Sequence, residues 1–270
     1  MYNKKIQEAN SPTVEIVTQS AEASPLPAPT PKPTPEIGGS FVTGKAGYNF
    51  LAYLPKGYGK ISERLPLILM LHGATMGNSV DNAKNYGPVR YAMQHEDFPF
   101  VVVAPASQNG WSVPLLDTLL NALPIPNIDG ERIYLTGYSM GAHATWLMAL
   151  AYPNRFAAIA VASGAGDSYQ AAARLKNLPA WIFHGAKDEI VPIDRGLKMI
   201  GAMKSAGSEV KYTIFPDQGH SIVEPTYNNP ELYQWFLQHR RNSGKAPIER
   251  TPMPRVKGKP TATTRESTQH

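Results

Sequence analysis

Cysteine is absent from all 270 residues. A disulfide framework, a thiolate metal site and a cysteine nucleophile are therefore excluded, while the compartment is left open. Long apolar runs are missing too: none approaches the roughly 20 residues that cross a bilayer as a helix, so no integral membrane segment is read. Lys4 and Lys5 look like the charged start of a secretory leader, but no apolar stretch follows and no signal peptide is read. The default expectation is cytoplasmic, with a secreted or surface-tethered protein as the alternative. Charge of one sign is also scarce where it would matter. The net charge is +5, yet Arg240 to His270 hold 8 Lys/Arg against 2 Asp/Glu, Met1 to Gly39 hold 3 against 4, and Ser40 to His239 hold 15 of each. The surplus belongs to a tail, and no nucleic-acid partner is expected.

What is present is enough apolar residue, 42%, for one large domain with a buried core. Residues 1–39 lack sustained periodicity and include Pro25, Pro27, Pro29, Pro31, Pro33 and Pro35, the composition of a stiff polyproline spacer. Residues 242–270 are polar, basic and proline-bearing. Both segments are expected to be disordered, flanking a folded domain at 40–241. Within it, strand patterns at 48–54, 67–71, 100–104 (closed by Pro105), 132–135, 157–162, 180–183 and 210–215 alternate with helical ones. The helices are expected at 80–95 (interrupted near Gly87-Pro88), after a Ser112 cap, at 144–150, 168–175 and 195–206, and from Pro230 to His239. This predicts an α/β fold: a mainly parallel sheet of about eight strands with helices on both faces, and a ligand site beyond the carboxyl ends of the strands.

The chemistry gathers at those ends. Gly137-Tyr138-Ser139-Met140-Gly141 lies between a strand and a helix, the setting of a nucleophile elbow that pushes a serine hydroxyl out of the backbone. A nucleophilic serine needs a base, a carboxylate and donors for an oxyanion. Asp188 follows the strand at 180–183 and His220 the strand at 210–215, giving the order Ser, Asp, His. Glu189, Asp194 and Asp167 compete with Asp188, and Asp167 is the runner-up. His72 and His184 each precede a glycine at a strand end, where a ring can fix a loop. The backbone N–H of Met140 is expected to serve an oxyanion hole, paired with that of Ala74 or else Thr75, with Gly73 permitting the turn. Met76, Trp111 and Val223 are candidates for the substrate pocket, although Trp111 could equally pack under a loop. The chemistry calls for no metal and no cofactor.

These motifs resemble the α/β-hydrolase superfamily, and more narrowly its prolyl-oligopeptidase-like esterase branch. That branch includes feruloyl and acetyl-xylan esterases, poly(hydroxybutyrate)-depolymerase-like proteins and predicted peptidases. The resemblance runs from about Tyr48 to Arg241, through Tyr53-Leu54-Pro55-Lys56-Gly57-Tyr58, Leu71-His72-Gly73, the elbow, His184-Gly185-Ala186-Lys187-Asp188, Gly219-His220 and Pro230 to Leu237. Ala142 stands where relatives usually carry a second glycine. Ser221-Ile222-Val223 replaces an aromatic-bearing run after the histidine. The resemblance implies the α/β-hydrolase fold and a serine esterase acting on a small-molecule or polysaccharide-linked ester, its oligomeric state unknown. A peptidase, an acyltransferase or a non-catalytic binding protein on the same scaffold are the alternatives.

Overall fold

The structure is a computed structural model that describes residues 39–76 and 79–241, Met76 by its backbone alone. The proline-rich segment and the basic tail lie outside the described residues. Strands β1 (Gly39–Ala46), β2 (Tyr48–Pro55), β3 (Leu65–Leu71), β4 (Val101–Ala106), β5 (Ile128–Tyr138), β6 (Ala158–Ala162), β7 (Ala180–Gly185) and β8 (Val210–Phe215) form one sheet, ordered β1-β2-β4-β3-β5-β6-β7-β8. The first two pairings are antiparallel and all those from β4 to β8 are parallel. The helices are α1 (Gly87–Gln94), α2 (Val113–Asn121), α3 (Met140–Ala151), α4 (Ser168–Arg174), α5 (Ile193–Ser205), α6 (Val223–Tyr227) and α7 (Pro230–Leu237).

The central strands are apolar on both sides because both sides are covered. In β3, Leu67, Leu69 and Leu71 point into a largely aliphatic layer closed by α2, α3, α4 and α5, with Leu116, Met148, Leu175 and Met203 fully or almost fully buried. Ile68 and Met70 point the other way, into a layer closed by α1, α6 and α7 and rich in aromatic rings: Phe98, Phe100, Tyr134, Trp181, Phe183, Tyr233, Trp235 and Phe236. This period-two division is what fixes the register of each strand. Each fully buried Leu or Phe contributes about 1.5–3 kcal/mol.

Four local expectations need correction. β1 escapes the sequence pattern because Gly39 and Gly44 interrupt its alternation. Their missing side chains are replaced by neighbouring rings: a Cβ would come within 2.5 Å of Tyr53 and 2.6 Å of Phe50. Pro105 does not close β4. The strand continues to Ala106, and since its pairing with β3 covers only Val101–Val103, the proline deprives no neighbour of a ladder bond there. Residues 80–95 are interrupted near Gly87-Pro88 as expected, but the first half is a 3-10 helix (Val80–Asn85); Tyr86 separates it from α1, which Gly87 opens at φ 64°. Ser112 stands at the N-cap of α2, but its hydroxyl makes no capping bond, and its backbone N–H donates to Tyr48 Oη at 2.7 Å.

The sheet has a functional edge and an opposite edge. β2 runs antiparallel to β4, so Tyr48 opens it at the edge where β3, β4 and β5 end. Gly39 pairs with Pro55 at the far edge. There too Tyr134 Oη donates to His239 O at 2.9 Å, Arg241 N–H to Glu131 O at 2.8 Å, and Arg240 bridges Asp129 and Glu131 at 3.0 and 3.2 Å. No helix among the described residues is long and apolar enough to cross a membrane.

Candidate active site

Ser139 sits between the last residue of β5 and the first of α3 at φ 54° and ψ −115°, a region side-chain-bearing residues rarely occupy. The turn is held from three directions. Ser139 N–H donates to Ala162 O at 2.9 Å, extending the ladder with β6. A Cβ on Gly141 would fall 1.9 Å from Leu71 O, and one on Gly137 2.2 Å from Gly141 O. A side chain at Gly141 would lift α3 off β3, one at Gly137 would lift it off β5, and either would move the serine.

His220 comes from the loop between β8 and α6. Its Nε2 lies 2.8 Å from Ser139 Oγ, and its Nδ1 lies 3.0 and 2.9 Å from Asp188 Oδ1 and Oδ2. Because the carboxylate accepts, Nδ1 carries the proton and Nε2 turns a lone pair to the hydroxyl. Asp188 follows β7 with its side chain fully buried. Its Oδ1 also accepts from Ile190 N–H at 3.0 Å and Val191 N–H at 2.8 Å. His184, buried at the end of β7, donates from Nε2 to Val191 O at 2.8 Å and lies 3.3 Å from Asp188 Oδ2. Among the described residues its Nδ1 has no hydrogen-bond partner, and it faces Gly196, where a Cβ would sit 2.7 Å away. The ring thus fixes the loop that holds the carboxylate.

The sequence gives no sign of Ser163. This residue directly follows β6, in the left-handed region at φ 49°, fully buried, and its hydroxyl donates to His220 O at 2.8 Å. The competing carboxylates lie elsewhere. Asp167 caps α4, accepting from Gln170 N–H at 3.0 Å, a bond that holds its carboxyl below the usual range. Asp194 is in the first turn of α5, and Glu189 is exposed. Burial, followed by the nearby Asp188 carboxylate, pushes the Tyr138 phenol up, and its ring centroid lies 5.3 Å from that of His220.

On the other side of Ser139, Ala74 and Thr75 open a single 3-10 turn, Ala74–Met76, directly after His72-Gly73. Met140 is the first residue of α3, so its N–H lies outside the helical ladder. His72 fixes this loop. Its Nε2 accepts from Ser107 N–H at 3.0 Å, Nδ1 donates to Gly73 O at 2.7 Å, and Trp111 Nε1 donates to His72 O at 3.1 Å. Burial pushes the His72 imidazole pKa down, in keeping with a neutral ring whose Nε2 accepts. Trp111 packs under that loop and also lines an open cavity of about 460 Å³ with Tyr48, Asn49, Ser107, Gln108 and Asn109. The Met76 side chain lies outside the described residues. Val223 opens α6 and packs, half-buried, on the aromatic layer; it does not line that cavity. Among the described residues, no three His, Asp or Glu side chains are grouped to hold a metal ion.

Known proteins share this architecture. The dienelactone hydrolase family matches residues 108–234. A bifunctional acetylxylan esterase/xylanase from Neocallimastix patriciarum is 27% identical over 222 residues, covering 74% of this chain and 31% of that protein. The protein named Probable feruloyl esterase C from Aspergillus terreus is 29% identical over 165 residues, 57% of this chain and 59% of that one. A solved thermostable esterase superposes with a TM-score of 0.61 at 27% identity, covering 77% of this chain and 61% of its own. The chain therefore spans about a third to three-fifths of the length of these relatives.

Proposed function

For a chain that belongs to the α/β-hydrolase superfamily, we propose a serine esterase that cleaves carboxylic esters through an acyl-enzyme. The observation that carries the reading is the hydrogen-bonded line from Ser139 Oγ to His220 Nε2 and from His220 Nδ1 to the Asp188 carboxylate. In the first half-reaction Ser139 Oγ attacks the ester carbonyl carbon as His220 Nε2 takes its proton. The carbonyl oxygen becomes an oxyanion held by the N–H groups of Met140 and Ala74. The C–O bond to the alcohol then breaks, and the alcohol leaves with the proton returned by His220. Water, deprotonated by the same nitrogen, attacks the acyl-Ser139 ester and releases the acid. Asp188 keeps His220 in the required tautomer and stabilises the imidazolium. The relatives named for esterase activity support the same class of substrate.

The test is turnover of p-nitrophenyl acetate together with fluorophosphonate labelling. Wild type is expected to do both, and Ser139→Ala to lose labelling and about 10⁴-fold or more of kcat. A wild-type protein inert to short esters and unlabelled at Ser139 overturns the proposal.

A further inference from the structure

Asn109-Gly110 is the one Asn-Gly pair in the 270 residues, and the fold sets it in the wall of the cavity beside Trp111. The chain around it is tied down. Ser107 N–H donates to His72 Nε2 at 3.0 Å, Tyr48 Oη and Ser107 Oγ both donate to Gly110 O, and Trp111 Nε1 donates to His72 O at 3.1 Å. The peptide unit joining Asn109 to Gly110 is left out of these ties. Among the described residues, neither Asn109 O nor Gly110 N–H has a hydrogen-bond partner, and neither does the Asn109 side-chain amide. Asn109 is exposed and lies between β4 and α2, outside any helix or strand. Gly110 adopts φ 88°, a left-handed conformation that favours glycine, and a Cβ placed there would meet nothing nearer than Met140 Sδ at 4.0 Å.

Intramolecular attack on a side-chain amide requires these features: a backbone nitrogen without a hydrogen-bond partner, no Cβ beside it, and open space for a ring to close. We propose that Asn109 is a self-modification site that converts in water to aspartate and isoaspartate, and so sets the charge of the cavity beside Ser139. The Gly110 nitrogen, giving up its proton to hydroxide, bonds to Asn109 Cγ. The Cγ–Nδ2 bond breaks, ammonia leaves, and a succinimide closes. Water then adds to one carbonyl of that ring and breaks its bond to nitrogen. Opening at Cγ leaves aspartate. Opening at the main-chain carbonyl leaves isoaspartate, whose backbone runs through the side chain and is one methylene longer. Either product brings a carboxylate into a cavity whose lining holds Lys45 and no acidic group. A new fixed charge there attracts cationic substrates and repels anionic ones; this consequence rests on the esterase reading above, whereas the conversion does not.

The test incubates the native protein at mildly alkaline pH and follows every asparagine by peptide mapping, reading the mass gain of amide-to-acid conversion and labelling isoaspartate with its methyltransferase. Asn109 is expected to convert at least about tenfold faster than any other asparagine between residues 39 and 241, and Gly110→Ala to slow it about tenfold or more. The native rate is expected to lie within about tenfold of the rate at Asn109 in the urea-unfolded chain. Stronger protection in the native protein, or no preference for Asn109, overturns the site. The consequence is read by kinetics: Asn109→Asp is expected to raise the kcat/KM ratio of acetylcholine to p-nitrophenyl acetate about two- to tenfold at low salt, a gain that shrinks as salt screens the carboxylate. An unmoved ratio, with both esters hydrolysed, overturns the charge-setting role. Inertness to every ester with no labelling of Ser139 overturns the esterase reading and the effect on substrates with it, while the mass measurement decides the conversion by itself.

Discussion

The two flanks of Ser139 are built on opposite plans. On the β6–β8 flank, polar groups are engaged with one another. Asp188 accepts from His220, Ile190 and Val191 with His184 against it, and Ser163 grips the backbone of His220. On the β2–β4 flank the backbone is equally well tied, but Asn49, Gln108 and Asn109 project into an open cavity. The difference separates two needs. Proton transfer demands fixed distances within tenths of an ångström, whereas recognition demands donors and acceptors still available to a ligand.

The most damaging way to break this contrast is through the carboxylate. Asp188→Asn replaces an acceptor of several N–H groups with an amide that must turn donors against one of them, and kcat is expected to fall about 10⁴-fold. Asp167→Asn, at the cap of α4, is expected to stay within about threefold. Ester-hydrolysis kinetics check both, and the reverse order would transfer the acid role to Asp167. A milder disturbance is Ser163→Ala, which removes one neutral hydrogen bond to His220 O. An expected loss of about two- to tenfold in kcat with little change in KM marks loosened positioning; a change confined to KM would contradict it.

The smallest effect belongs far from either flank. Burial pushes the Asp129 carboxyl up, but Arg132, the Glu131 N–H and Arg240 outweigh it and leave the pKa below the usual carboxylate value. A depressed folded pKa stabilises the protein above the unfolded pKa, and this is lost as pH falls through the folded one. Asp129→Asn is therefore expected to lower Tm at pH 7 by about 2–4 °C, corresponding to about 1 kcal/mol. In thermal melts the gap from wild type should close as pH falls below the ordinary Asp range. Ester turnover at 25 °C should stay within about twofold of wild type.

These contrasts explain what could be read from the sequence. The elbow was legible because its geometry tolerates only glycine at Gly137 and Gly141, at fixed offsets from Ser139. Asp188 and His220 were legible because strand ends in a parallel sheet converge, so chain order alone suggested the meeting of distant residues. Ala142, the departure from the usual glycine, is accommodated across the gap: a Cβ on the facing Gly164 would meet its methyl carbon at 2.2 Å. Ser163 was hidden because a lone serine at a strand end carries no pattern, and its role depends on a left-handed turn and a carbonyl 57 positions away. β1 was hidden because the rings standing over its glycines belong to another strand. The amides of the cavity are ordinary loop residues until β2 and β4 bring them together.

One feature of the sheet has a bearing on how the molecule is carried. The described chain enters at Gly39, beside Pro55, and leaves at Arg241, beside Glu131, both on the edge remote from Ser139. The domain is therefore a polar object in the geometric sense, with its points of attachment at one pole and its opening at the other. The mouth of the site faces away from both ends of the described chain.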